Sequence, residues 1–198
     1  MLVTDTRVAT SDLPLAEFRE HLRLGTGFSE TDLQDSVLEG YLRASIAAIQ
    51  ARTGKILLSQ DFTWTLLAWP GSDCVLFPVA PSVEILSLAA RSADGSAQAY
   101  DPALFRVVPD THRPQLRAQA LSFPNVPSDA TIEIKFRCGF GPSWQETPAD
   151  LAQAVLLLAA HYYEFRHETA LGEGCMPFGV TALLQAYKPL RVSLDSTS

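Results

Sequence analysis

Apolar residues recur along this chain with two periods, and the period changes twice. Residues 12–53 carry the helical one. In DLPLAEFREHLRL, Leu15, Phe18, Leu22 and Leu24 fall near one face, with Pro14 suited to a first turn and Gly25 to a stop. A second helix is predicted from Ser29, which resembles a capping box with Asp32 three residues on. Leu33, Val37, Leu38, Tyr41, Leu42, Ile46 and Ile49 then repeat at helical spacing up to Thr53 and Gly54. The two helices read as an antiparallel pair joined by GTGFS.

From Lys55 to Gly141 the period falls to two. ILLSQDFTWTLLAW and TIEIKFRC alternate, and VEILSLAARSADGSAQAY holds an Asp94 and Gly95 hairpin signal between two runs. Nine of the 13 prolines fall between Pro70 and Pro142, so the strands must be short and separated by loops. The pattern predicts a small antiparallel sheet or open barrel of about five or six strands.

Helical spacing returns in TPADLAQAVLLLAAHYYEFRHE. Thr147 suits the N-cap, Pro148 the first helical position and Asp150 the positive helix end. Leu151, Val155, Leu156, Leu157, Leu158, Tyr162, Tyr163 and Phe165 cover most of the circumference, which requires burial on several sides. A last amphipathic stretch, VTALLQAYK, ends at Pro189. The fold class is therefore α+β: a helical bundle, made of an N-terminal helix pair and C-terminal helices, with an inserted small antiparallel β-domain. The expected divisions are 1–54, 55–141, 142–189 and a tail at 190–198.

Composition narrows the function. A net charge of -7, from 15 basic and 22 acidic residues, argues against sequence-independent nucleic-acid binding, which needs clustered Lys and Arg. Cys74, Cys138 and Cys175 are widely spaced, form no C-x-x-C pair and fit a reducing compartment. The first residues lack a basic-then-apolar signal pattern, and the apolar run from Leu151 contains His161 and stops at Tyr163, which is short for a membrane span. Synthesis in the cytoplasm, without a membrane, is expected.

The richest polar cluster is His161, Glu164, His167 and Glu168. At about 100° per residue the two imidazoles diverge by about 120°, so they do not share one ion easily. H-E-x-x-H sites use a spacing of four for this reason. Glu164 and His167 form a Glu-x-x-His pair, but di-iron bundles need a second such pair: Glu17 and His21 are four apart, and His112 lies in the proline-rich region. Gly54 and Lys55 lack the remainder of a P-loop and read as a helix end before a strand. Cys138 reads as a buried strand cysteine, and Trp64, Trp69 and Trp144 as core or interface anchors. No metal or cofactor is expected.

Taken together, LPLAEFREHLRL, IQARTGKILLSQDFTWTL, FRCGFG, TPADLAQAVLLLAAHYYEFRHE and MPFGVTALLQAYKPLRV resemble the head-tail connector, or adaptor, proteins of long-tailed phages and phage-derived gene transfer agents. The resemblance spans about residues 13–192; its most specific parts are Tyr163, Glu164 and Arg166 at a helix end and PFGVTALLQAYKP.

The resemblance implies a structural protein rather than an enzyme. It implies a homo-oligomeric ring, expected to be twelvefold, below the portal protein of a DNA-filled capsid, with a downstream neck protein on its other side. Double-stranded DNA would pass through without sequence-specific binding. The protein would be made in the bacterial cytoplasm and end in the particle neck. An acidic balance suits a channel that must not hold DNA, since carboxylates repel phosphate. In such proteins the C-terminal segment docks on the portal, which here implicates Tyr187, Lys188, Pro189, Leu190, Arg191, Val192 and Leu194. Leu190, Val192 and Leu194 alternate like a strand able to add to a partner's edge. Two other classes remain open: a small metal-dependent enzyme on His161, Glu164 and His167, and a ligand-binding β module using Trp64 and Trp69.

Overall fold

Two apolar clusters organise the fold, one between helices and one between sheets. A computed structural model describes residues 1–23, 31–166 and 176–188. The change of period at Lys55 is where the chain passes from one cluster to the other. Ile56 joins the sheet core, whereas Leu57 and Leu58 join the helical one.

The helical cluster is built from α1 (Leu15–His21), α2 (Thr31–Thr53), α3 (Ala149–Glu164) and α4 (Phe178–Leu183). Leu38, Leu42, Ile46 and Ile49 of α2 form one buried stripe. Against it α3 sets Leu151, Ala154, Val155 and Leu158, while Phe18 of α1 and Val180 of α4 close the sides. Val37, expected on the buried face, is 49% exposed, because a residue next to Leu38 points about 100° away from that stripe. Arg19 pairs with Asp35 between α1 and α2. Gly54, at φ 68°, ends α2 in the left-handed conformation that glycine adopts without penalty. The predicted Ser29 cap and the GTGFS connection lie outside the described residues.

The start of α3 differs from expectation. The helix begins at Ala149, and the Thr147 hydroxyl is buried with no hydrogen-bond partner among the described residues. Capping moves one turn earlier, to the 3-10 turn Trp144–Glu146, where the Glu146 carboxylate accepts from the Ser143 amide and hydroxyl at 3.2 and 2.9 Å.

Among the described residues eight strands form two antiparallel sheets, seven of them within 55–141, where five or six were expected: β1 (Leu2–Thr4), β2 (Gln60–Leu66), β3 (Cys74–Leu76), β4 (Ser82–Ser92), β5 (Ala97–Ala99), β6 (Phe105–Val108), β7 (Gln115–Ala118) and β8 (Ala130–Gly139). Their orders are β1-β2-β8-β4-β5 and β3-β7-β6. Three strands have only three residues, too few for alternation to register in the sequence. The alternation in β8 does set its faces: Ile132, Ile134 and Phe136 are fully buried, while Glu133, Lys135 and Arg137 face outward. Phe62 and Trp64 join them from β2, and Val75, Phe105 and Leu116 come from the smaller sheet. Asp94 and Gly95 make the β4–β5 turn, with Gly95 at φ 88°. β1 enters the larger sheet from the N-terminus by pairing with β2.

Candidate docking site

The C-terminal run returns along α3, and its last described turn is fixed at two points. After α4, a 3-10 turn (Gln185–Tyr187) brings the Tyr187 hydroxyl to Asp150 at the start of α3, where it donates a hydrogen bond of 2.8 Å. The Tyr187 ring meets Phe140 edge-on, with centroids 6.5 Å apart. Burial, reinforced by the bond to Asp150, pushes the Tyr187 phenol up to about 12. Asp150 also accepts from the Leu151 amide at 2.9 Å. One carboxylate thus serves both the helix start and the root of the tail.

Of the residues implicated in docking, Tyr187 is half-buried in this latch, and Lys188, also half-buried, donates to the Gln185 side chain at 3.1 Å. Pro189, Leu190, Arg191, Val192 and Leu194 lie outside the described residues. What the structure supplies is their point of departure, held beside the junction of helices and sheets.

The residues weighed for chemistry are engaged in packing. His161 packs against Phe165, rings tilted at 48° with centroids 4.7 Å apart, and Arg166 lies 4.8 Å over the Tyr163 ring, which meets Tyr41 edge-on. Glu164 is exposed, and His167 and Glu168 lie outside the described residues. Among the described residues no three His, Cys, Asp or Glu side chains form a metal-binding group. Trp64 packs on Phe77 in the sandwich core, while Trp69 stacks on Phe123 at 4.2 Å and donates to the Pro124 carbonyl. Cys138 is buried in β8, and desolvation pushes its thiol up to about 12, which removes nucleophilic thiolate at neutral pH. Lys55, which the sequence places between a helix end and a strand, is 1% exposed. Desolvation lowers its pKa, and Asp110 partly offsets this.

Outside, β8 carries a row of paired charges. Arg137 donates to both oxygens of Asp61 on β2, at 2.7 and 3.1 Å, and Arg91 of β4 does the same to Glu133, at 3.1 and 2.9 Å. Arg91 and Arg137 are thus held in pairs, and Lys135 is the exposed basic side chain between Glu133 and Arg137 on this face.

No protein-family model and no curated protein matches the chain. Solved structures do. A chain in the neck of an empty gene transfer agent particle, computed with C6 symmetry, aligns at a TM-score of 0.88 and 46% identity over 97% of both chains. A chain of the native gene transfer agent virion aligns at 0.85 and 45%, and one in the native neck, computed with C12 symmetry, at 0.83 and 42%, each again over 97% of both chains. At this identity over nearly the full length of both partners, the chain belongs to the family of gene transfer agent neck proteins.

Proposed function

We propose that this structural neck protein is the adaptor of its particle. Its copies form a ring of twelve that sits on the portal protein, extends the DNA channel and offers a platform to the next neck protein. The observation that carries this reading is the full-length match to neck chains at 42–46% identity. The C6 and C12 symmetry of those necks favours a ring. An acidic chain, with Arg91 and Arg137 of its sheet held by carboxylates, lets DNA slide past rather than adhere. The role is mechanical and needs no catalysis.

Within this reading the chain divides into helical segments (1–54 and 142–189), an inserted β-rich part (55–141) and a tail (190–198). The tail, with Tyr187 and Lys188 at its root, makes the portal contact. Assembly takes place in the bacterial cytoplasm, and the finished ring stays in the particle neck. Electron microscopy of the purified protein mixed with its portal tests the proposal. A ring stacked on the portal is expected, and a portal left bare at saturating protein would refute it.

A further inference from the structure

The two sheets of the sandwich treat their arginines differently. On the larger one, Arg137 lies directly across from Asp61 and Arg91 reaches Glu133, so each has a carboxylate. On the smaller one, the register sets Arg106 of β6 directly across from Arg117 of β7, with Cys74 of β3 on the other side of Arg117. Phe105, Val107 and Leu116 face the core, so alternation turns Arg106 and Arg117 outward together. The second row on that outer face is Val108, Gln115 and Leu76. None of these six outward residues is acidic, and neither guanidinium meets a carboxylate among the described residues.

Like charges directly opposite each other in a sheet destabilise it, and an anion from outside the chain removes that cost. One of the two is also held in place. The Gln115 side-chain oxygen accepts from Arg117 Nε at 3.1 Å and from the Cys74 thiol at 3.4 Å. This fixes the Arg117 fork and leaves its terminal nitrogens pointing to a partner beyond the chain. Arg106 is exposed beside it, with the Cβ atoms of such opposed residues about 5 Å apart. Two forks at that spacing, with no acid on the face, match phosphate oxygens, which accept paired N–H donors.

We propose that this face meets the phosphate backbone of the DNA that passes through the ring, an inference that rests on the ring reading above. Charge and size favour DNA over a protein partner. The three strands make a patch of about 10 Å by 13 Å at sheet spacings, far below the roughly 800 Å² that each side of a stable protein contact covers. Leu76 is its one exposed apolar side chain, too little to anchor a protein. Phosphate contacts carry no sequence information, and two per copy on an acidic chain are weak and screened by salt, which suits DNA that has to move. Composition hides the pair, because only the β6–β7 register brings its members together. With this face toward the DNA, the outer face of the larger sheet, including Lys135, points away from the channel.

Photocrosslinking in DNA-filled particles tests this. Leu76→benzoylphenylalanine puts the probe beside the pair and keeps both arginines, while Lys135→benzoylphenylalanine is the control on the opposite face. Light should link the first position to DNA and not the second. Links from position 76 to protein alone would make the face a protein contact and overturn the proposal, as would assembled rings with no link to DNA. Links to DNA from both positions would also overturn it, since the two outer faces of one sandwich cannot both line the channel. A bare portal with the unaltered chain would remove the ring reading, and this proposal with it. Should the probe-bearing chains not assemble, a labelled DNA duplex added to portal-bound rings gives a second measure by fluorescence anisotropy. Arg106→Gln with Arg117→Gln should weaken binding about ten-fold or more and flatten its salt dependence, while Arg106→Lys with Arg117→Lys should keep most of both. Unchanged binding in the Gln pair would count against the proposal. Inorganic phosphate displacing more duplex than chloride at equal ionic strength would show a small-anion site instead, and would overturn it.

Discussion

Replacing Tyr187 by Phe removes one oxygen and tests how the tail is anchored. The ring can keep its contact with Phe140, so the change isolates the hydrogen bond to Asp150. Bonds to a charged acceptor contribute about 1.5–3 kcal/mol net, and a half-buried pair belongs at the lower end, about 1.5 kcal/mol. For a chain of this size each kcal/mol moves the transition by about 2–4 °C, so Tm should fall by about 3–6 °C. Asp150→Asn supplies the second arm of a double-mutant cycle, in which the pair should couple by about 1 kcal/mol. Alkaline pH provides an independent check. Folding raises the phenol from 10.0 to about 12, so its contribution is complete below pH 10 and is lost as pH rises towards 12. The gap in Tm between the wild type and Tyr187→Phe should therefore narrow from pH 9 to pH 11. Equal melting temperatures at pH 7 would show that the latch carries no load; a gap unchanged with pH would show that the phenol is not held neutral by folding.

Deleting residues 190–198 should shift the thermal transition by no more than a few degrees, within about 1 kcal/mol, yet abolish attachment to the portal, because a small loss per subunit is multiplied around a ring. A truncated protein that still joins portal-containing heads would move the docking role to the helical body. Gly139→Ala should cost about 2–4 kcal/mol in denaturant unfolding, since its Cβ would come within 2.6 Å of the Ser59 backbone. Changing His161 and His167 together to Gln should leave folding and metal content unaltered; a stoichiometric, chelator-sensitive metal in the wild type would contradict the packing role given to His161.

The long elements were legible because periodicity reports burial on one face. Alternation in TIEIKFRC gave the strand that became the centre of the larger sheet, and Asp94 with Gly95 gave its hairpin. The stripe of Leu38, Leu42, Ile46 and Ile49 was equally readable, although Val37 shows that a neighbouring apolar residue can sit just off the face. Strands of three residues left no such trace, and β1 was hidden in a segment without periodicity. The anchor of the tail was invisible for another reason. Asp150 and Tyr187 are far apart in sequence, and a hydroxyl meeting a carboxylate through tertiary contact follows no spacing rule. Lys55 likewise read as the polar residue after a helix end, and only the meeting of the two cores buries it. The resemblance was within reach because its most specific stretches, Tyr163 to Arg166 and PFGVTALLQAYKP, are contiguous in sequence. The sequence left phage and gene transfer agent undivided, and it was the structural matches that pointed to the latter.

The position of β8 has a consequence for how the protein is born. It lies between β2 and β4, which do not pair with each other, and among the described strands it is the last to leave the ribosome. β2 is complete at Leu66 and β4 at Ser92, but β8 begins only at Ala130. At about 5–20 residues per second, both strands wait on the order of several seconds with Phe62, Trp64 and Leu88 uncovered. During that interval the nascent chain is open to aggregation and to capture by chaperones. A fragment ending before residue 130 lacks the strand that joins β2 to β4 and has no means of assembling the larger sheet.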